Sequence, residues 1–321
     1  MKDLRIVFMG TPDFAVASLD ILIKNNYTIV GVVTMPDKPA GRGQQLQQSA
    51  IKKYATEKGL KILQPEKLKS EFFISDLKAL NADLQIVVAF RMLPEVVWGM
   101  PRLGTFNLHG SLLPQYRGAA PINWAIINGE TETGVTTFFL QHKIDTGKII
   151  FNAKTPIGPN ETVGDIHDRL MHIGADLVLK TVKAIEENKY LESDQSAFYS
   201  SETELKHAPK IFKEDCTINW SQSCTAIHNH IRGLSPYPSA FTEFKDPNEK
   251  LFFAKLYLAE NEITPHKYPI KSVFTDGKSY LKIAVMDGFI FIKELQIASK
   301  KRMGIQEFLR GFPINDTWKV V

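Results

Sequence analysis

The sequence is nearly devoid of cysteine: Cys216 and Cys224 are the two in 321 residues. They share one short stretch with no other cysteine to pair with, so no disulfide framework is readable and a reducing, cytoplasmic compartment is expected. Long hydrophobic runs are missing too. No window approaches the roughly 18 consecutive apolar residues that a spanning helix needs, which points to a soluble protein. The first nine residues alternate like a strand and lack the charged, apolar and small-residue order of a secretory signal. Neither a GxGxxG fingerprint nor a GxxxxGK[ST] loop is present. The first absence, with no acidic ribose partner at the expected place, argues against a dinucleotide-dependent oxidoreductase. Internal repeats and low-complexity tracts are absent. A content of 44% hydrophobic and 23% charged residues excludes a disordered or fibrous chain.

What is present is enough chain for one large domain followed by a smaller one. Apolar runs of strand length occur at residues 4–9, 28–34, 84–89 and 105–108, separated by helical periods such as 15–23 and 51–58. That alternation predicts an α/β domain with a parallel sheet covered by helices on both faces. Two further β-rich runs, 134–140 and 148–156, precede a helix over about 163–187 that Pro159 and the Glu161-Thr162 pair lead into. Between 191 and 209 the periodicity is lost among serines and acidic residues. The division expected is therefore a catalytic domain over 1–190, a linker over 191–207 and a second domain over 208–321. In the last segment, a short helix at 225–232 is followed by strand-like runs at 240–244, 251–257, 280–284 and 288–296. Short strands with turn signals between them predict a small β-barrel.

The net charge of +4 is modest, but it is clustered. Residues 38–69 hold Lys38, Arg42, Lys52, Lys53, Lys58, Lys61, Lys67 and Lys69 against Glu57 and Glu66. Near the carboxyl end, Lys293, Lys300, Lys301, Arg302 and Arg310 face Glu294 and Glu307. Two basic patches suit a polyanion, and equally suit solvated helix faces; charge alone does not decide.

The first strand ends in Met9-Gly10-Thr11-Pro12-Asp13-Phe14, with Pro12 expected at the first helical position. The free N–H groups of such a helix start bind anions, although a glycine here also serves turn geometry alone. The more informative run is Asn107-Leu108-His109-Gly110-Ser111-Leu112-Leu113-Pro114, directly after a buried-looking strand. In open parallel sheets ligands bind at the carboxyl ends of strands. Asn107 and His109, two apart, project to one side of a strand, so an amide and an imidazole converge. Gly110 permits a reversal, and Ser111, Leu112, Leu113 and Pro114 then suit a wall over a flat ring. Asp145, in Lys143-Ile144-Asp145-Thr146-Gly147, is placed to pair with His109 and hold its tautomer. A strand-end histidine is also a common structural residue, and Asp-Thr-Gly is a good turn sequence. No metal site is expected. His228 and His230 share a helical period with Cys224, and His167 and His172 are five apart, off the four-residue spacing of one helix face.

Residues 107–114, their continuation Gln115-Tyr116-Arg117-Gly118-Ala119-Ala120-Pro121-Ile122, and Asp145-Thr146-Gly147 together resemble the folate-dependent formyltransferase family. Residues 10–14, 36–43, 208–211, 218–221, 231–238 and Arg302-Met303 are similar to the branch acting on aminoacylated tRNA, so the resemblance runs nearly the whole chain. It implies a Rossmann-like formyltransferase domain followed by an OB-like C-terminal β-barrel that binds tRNA. It implies Asn107, His109 and Asp145 as the catalytic site, Ser111 to Pro114 against the folate, and 10-formyltetrahydrofolate as donor without a metal. The implied acceptor is methionine on the initiator tRNA, contacted by Lys38, Arg42 and Arg302, with the Arg42 loop entering the acceptor arm. A monomer is expected. Two local departures stand out: Gln141-His142-Lys143-Ile144 is more basic than the family pattern, and Arg302-Met303-Gly304 replaces a usually longer turn. A formyltransferase for a small amine, and a non-catalytic RNA-binding protein reusing the two folds, are the competing readings. The first leaves the Arg42 loop and basic barrel without a purpose; the second leaves Asn107, His109 and Asp145 without one.

Overall fold

The alternation of apolar runs and helical periods becomes a strand–helix series in the computed structural model of the chain, which describes residues 4–40 and 45–321. The series runs β1 (Arg5–Gly10), α1 (Phe14–Lys24), β2 (Thr28–Val33), β3 (Lys38–Ala40), β4 (Gln45–Gln47), α2 (Ala50–Glu57), β5 (Ile62–Leu63) and α3 (Glu71–Ala79). It continues through β6 (Leu84–Val88), α4 (Glu95–Trp98), β7 (Thr105–His109), β8 (Arg117–Gly118), α5 (Pro121–Ile127), β9 (Glu132–Phe139), β10 (Ile149–Pro156) and α6 (Val163–Glu186). After three short 3-10 turns and β11 (His207–Ala208) come α7 (Cys224–Leu234), β12 (Ala240–Lys245), β13 (Leu251–Ile263), β14 (Val273–Thr275) and β15 (Leu281–Val285). The chain closes with β16 (Gly288–Ile297), β17 (Met303–Gly304), α8 (Ile305–Gly311) and β18 (Lys319–Val320).

Two compact units form. One comprises Met1–Gly118, Gly134–Thr155 and His167–His207; the other comprises Ala119–Thr133, Pro156–Ile166 and Ala208–Val321. They are interleaved in sequence, where the sequence reading places a single break at 191–207. Apolar period identifies an element but not the core that takes its face. α5 illustrates this: Ile127 packs on the core of the second unit, and Asn123 Nδ2 donates to the Gly233 carbonyl 2.8 Å away.

The first unit is built on a seven-stranded sheet of order β10-β9-β7-β6-β1-β2-β5. β1 pairs in parallel with β2 and β6, β6 with β7, and β2 with β5. β7 and β9 are antiparallel, so the parallel strands expected from the sequence are extended by an antiparallel pair whose direction was not read, because an apolar run of strand period reads the same in both directions. Every residue of β6 is buried, as befits a strand covered on both faces. One cluster of Val7, Met9, Val33, Phe73, Leu77 and Val87 fills a face of this sheet, each large side chain contributing about 1.5–3 kcal/mol by leaving water.

α1 begins two residues later than expected. Pro12 precedes the helix, and Asp13 is its N-cap, the carboxylate accepting from the Phe14 N–H. Gly10 is required for close packing: a Cβ there would lie 2.7 Å from Ala15 Cβ and 3.0 Å from the Val88 carbonyl oxygen. α6 starts with a reciprocal cap, in which Asp165 accepts from the Thr162 N–H and Thr162 Oγ1 from the Asp165 N–H. Among the described residues no helix is long and apolar enough to cross a membrane.

The second unit is an antiparallel barrel of strand order β14-β15-β16-β13-β12-β18, with β17 paired to β16. The Ser272–Lys319 bridge and the bond from the Val320 N–H to the Lys271 carbonyl bring its two edge strands together. The β13–β16 register shifts around Leu258, bending the long strand as closure requires. Trp220, Phe244, Leu256, Ile283, Ile290 and Leu295 fill the interior with α7 against them.

Candidate active site

The strand order of the first sheet reverses at β1: the chain leaves to one side through β2 and β5 and returns on the other through β6 and β7. Such a reversal leaves a crevice outside the carboxyl ends of the flanking strands. Here those ends carry Gly10 at the end of β1 and Thr11 after it, residues 89–93 after β6 and His109 at the end of β7.

Asn107 is half-buried and His109 is 6% exposed, both on β7 and on the same side of it. The His109 Nε2 lies 2.8 Å from the Tyr116 carbonyl oxygen. A carbonyl can only accept, so Nε2 carries the proton and donates. Nδ1 faces Asp145 Oδ2 at 3.9 Å, and the Phe138 ring meets the imidazole edge-on at 6.4 Å. The tautomer is therefore held by the Tyr116 carbonyl, where the sequence reading assigns that task to Asp145. Asp145 stands at Nδ1 at ion-pair distance, its Oδ2 accepting from the Gly118 N–H at 3.0 Å. Its backbone is left-handed, with φ 53°, a conformation aspartate tolerates better than most residues. Gly147 has a different purpose from a simple turn: a Cβ there would collide with the Phe139 carbonyl.

The loop after His109 is pinned from within. Ser111 is fully buried; its Oγ donates to the Gln115 carbonyl at 2.6 Å, and its carbonyl accepts from Thr136 Oγ1 at 2.7 Å. The Leu113 N–H donates to the same Thr136 oxygen, and the Leu113 side chain packs with Phe138 and Ile149. Pro114, after a cis peptide bond, is buried as well, which leaves Leu112 as the half-exposed side chain of the four. The loop thus offers shape and an apolar surface more than free polar groups.

Sequence reasoning missed three further features of the crevice. Thr11 Oγ1 and Arg91 Nε are buried with no hydrogen-bond partner among the described residues. The rest of the Arg91 guanidinium donates to the carbonyls of Pro65 and Glu66. Ala89, at the turn out of β6, is left-handed with φ 47°. Strand-end position at the order reversal was the available signal for all three. Two clefts are defined by their linings. One of about 430 Å³ is lined by Gln64, Pro65, Lys67, Ser70 and Phe72, and one of about 330 Å³ by Lys213, Thr217, Phe241 and Phe253.

Of the residues expected against RNA, Lys38 is exposed on β3, which pairs with β4 in a short hairpin. Arg42 lies outside the described residues. Lys52 of the same basic cluster is in an ion pair with Asp37. Arg302, in the second unit, is committed: its fork grips Glu294 at 2.7 and 2.6 Å and its guanidinium stacks 4.2 Å from the Tyr257 ring. Lys293 and Lys301 also pair, with Glu260 and Glu307, so much of the carboxyl-end charge is compensated. His228 is buried in α7, and no group of three or more His, Cys, Asp or Glu that would hold a metal occurs among the described residues.

Compared with known proteins, residues 4–182 match the formyl transferase family and residues 210–313 match the formyl transferase C-terminal domain. A methionyl-tRNA formyltransferase of Parabacteroides distasonis is 59% identical over 97% of this chain and 96% of its own. The chain belongs to the methionyl-tRNA formyltransferase family. A second member, from Flavobacterium johnsoniae, is 54% identical over 100% of both chains. Among solved structures, an N-formyltransferase from Helicobacter canadensis in complex with folinic acid and dTDP-3-aminofucose has a TM-score of 0.64 at 22% identity, covering 94% of this chain and 100% of its own. HypX from Aquifex aeolicus in complex with tetrahydrofolic acid has a TM-score of 0.59 at 18% identity, covering 96% of this chain and 48% of its own. These two likenesses are of fold.

Proposed function

We propose that this formyltransferase moves the formyl group of 10-formyltetrahydrofolate to the α-amino group of methionine on the initiator tRNA, giving formylmethionyl-tRNA for translation initiation. The observation that carries the reading is the His109–Asp145 pair at the carboxyl end of β7, 3.9 Å apart beside the crevice at the sheet's order reversal. Membership of the family over nearly the full chain supports the acceptor.

The amine must lose a proton to attack the formyl carbon, and the attack places negative charge on the formyl oxygen. Asn107, through its side-chain NH₂, and the Nε2–H of His109 are the donors for that oxygen. Preorganised donors of this kind are worth about 2.7–4 kcal/mol each in the transition state. The Nε2 proton now goes to the Tyr116 carbonyl, so the developing oxyanion competes with that carbonyl for it. Asp145 supports positive charge on the imidazole and accepts, directly or through water, the proton the amine gives up. Collapse breaks the bond between the formyl carbon and N10 of the folate, and N10 takes up the proton that Asp145 received from the amine, directly or through water. The folate lies along Leu112 and the strand ends of β1 and β6, where Thr11 and Arg91 offer unused polar atoms. Lys38 and Arg42 contact the tRNA acceptor end, and Arg302 reaches a phosphate by exchanging it for Glu294. The enzyme works as a cytoplasmic monomer.

Consumption of 10-formyltetrahydrofolate, followed with methionyl initiator tRNA, an amino-sugar nucleotide and free methionine in parallel, tests the reading. Turnover with the charged tRNA alone is expected. Turnover with the amino sugar and none with the tRNA would leave the chemistry standing and overturn the acceptor.

A further inference from the structure

The segment 191–207, read from the sequence as a linker, is a strap across the two loops that carry the proposed chemistry. Ser193 forms a bridge with Ile149 at the start of β10. Two residues on, Gln195 is 3% exposed, and its amide is saturated. The Nε2 donates to the Asp145 carbonyl at 2.9 Å and to the Gly147 carbonyl at 2.8 Å. The Oε1 accepts from Arg117 Nε at 3.0 Å and from the other end of that guanidinium at 2.7 Å. An amide has two donor hydrogens and one oxygen with two lone pairs, so all four capacities are used, and the partners fix which way it points. Farther along the strap, the Lys206 carbonyl accepts from the Tyr116 N–H at 2.6 Å, and the Lys206 N–H donates to Gln115 Oε1 at 2.8 Å.

These bonds converge on the groups that set His109. Tyr116 supplies the carbonyl that holds Nε2, Gly118 the N–H that holds the Asp145 carboxylate, and Asp145 itself stands in a left-handed backbone conformation. Arg117 lies between Tyr116 and Gly118. Gln195 therefore ties the peptide of Asp145 to the loop whose peptides orient both members of the pair. We infer that Gln195 is a positioning residue for formyl transfer, acting through Asp145 and its approach to His109. The inference rests on the reading of His109 and Asp145 as the catalytic pair.

A double-mutant cycle on the full-length enzyme tests it, measuring kcat and KM for 10-formyltetrahydrofolate in wild type, Gln195→Ala, Asp145→Asn and the double variant. Misplacement of a reacting group by about 1 Å can lower turnover roughly 100-fold, and a loss of that order in kcat with little change in KM is expected for Gln195→Ala. On the Asp145→Asn background the same substitution should cost little more, because the group it positions is already disabled. Gln195→Glu fills the same volume and keeps an acceptor for Arg117, but presents oxygen to the Asp145 and Gly147 carbonyls; it should lose kcat as well, and it carries the cycle if the alanine variant does not fold. Full activity in either variant, or losses that multiply with that of Asp145→Asn, overturns the strap while leaving the catalytic pair intact. Full activity in Asp145→Asn alone overturns the catalytic reading, and the strap with it.

Discussion

At the scale of single residues, the loop carrying Asp145 has little room to relax. Gly147 sits against the Phe139 carbonyl, and Asp145 occupies left-handed backbone. Replacing Gly147 with alanine should destabilise the protein by about 1–3 kcal/mol, the usual cost of forcing an extra methyl group into packed structure. Turnover should fall further than that loss of folded protein explains; a thermal melt beside a rate measurement separates the two. Cys224 makes the opposite kind of prediction. Burial first, then Asp287, push its thiol up to about 12, so at pH 8 it remains a thiol and is closed to solvent. A thiol reagent should label it only on unfolding, and rapid labelling of the native protein would contradict the packing described. Asn107, His109 and Asp145 stood out in the sequence because chemistry-bearing side chains at a strand end and in a glycine loop are visible as residue types. The Tyr116 carbonyl was not legible, since a backbone oxygen has no letter of its own, and neither was the Arg302–Glu294 fork, whose partners meet only when β16 and β17 pair.

At the scale of elements, the segment leading into β3 is tied down by side chains. Asp37 accepts from Lys52 of α2 and from Gln64 Nε2 at 2.9 Å, and Gln64 also donates to the Met35 carbonyl. The lysine and aspartate side chains are each 18% exposed, so the pair is largely withdrawn from water. Lys52→Ala would leave Asp37 without its cation and loosen the base of the hairpin. KM for charged tRNA should then rise while KM for the folate donor holds; an equal rise in both would separate the hairpin from the acceptor. The helices α1, α2, α6 and α7 and the strands β1, β2, β6 and β7 were legible from period, and the entry to α6 from Pro159 and the Glu161-Thr162 pair. Strand direction was not, which hid the antiparallel β7–β9 pair. The segment 191–207 carries no apolar stripe, and its order comes from hydrogen bonds to the Asp145 and Tyr116 loops, which have no signature in period.

At the scale of the whole molecule, the α/β unit and the barrel follow from the two kinds of hydrophobic period, while their interleaving follows from which core takes α5 and the segment 156–166. Two histidines in α7, His228 buried and His230 half-buried, tie stability to pH. Burial holds both His228 and His230 below the ordinary histidine range, the Arg232 charge adding to the effect at His228. Above about pH 6.5 both states carry neutral rings and no stability is at stake; as pH falls through that value the unfolded chain takes up protons the folded one refuses. Tm should therefore fall between pH 7 and 5, and more shallowly when both histidines are replaced by glutamine. The central claim is that His109 performs formyl transfer onto methionyl initiator tRNA, and its most direct test is single-turnover transfer at saturating 10-formyltetrahydrofolate in wild type and His109→Ala. The account predicts transfer by the wild type and a rate lower by about 10²–10⁴-fold in the folded variant, with tRNA binding retained. A variant that transfers formyl at the wild-type rate would contradict it.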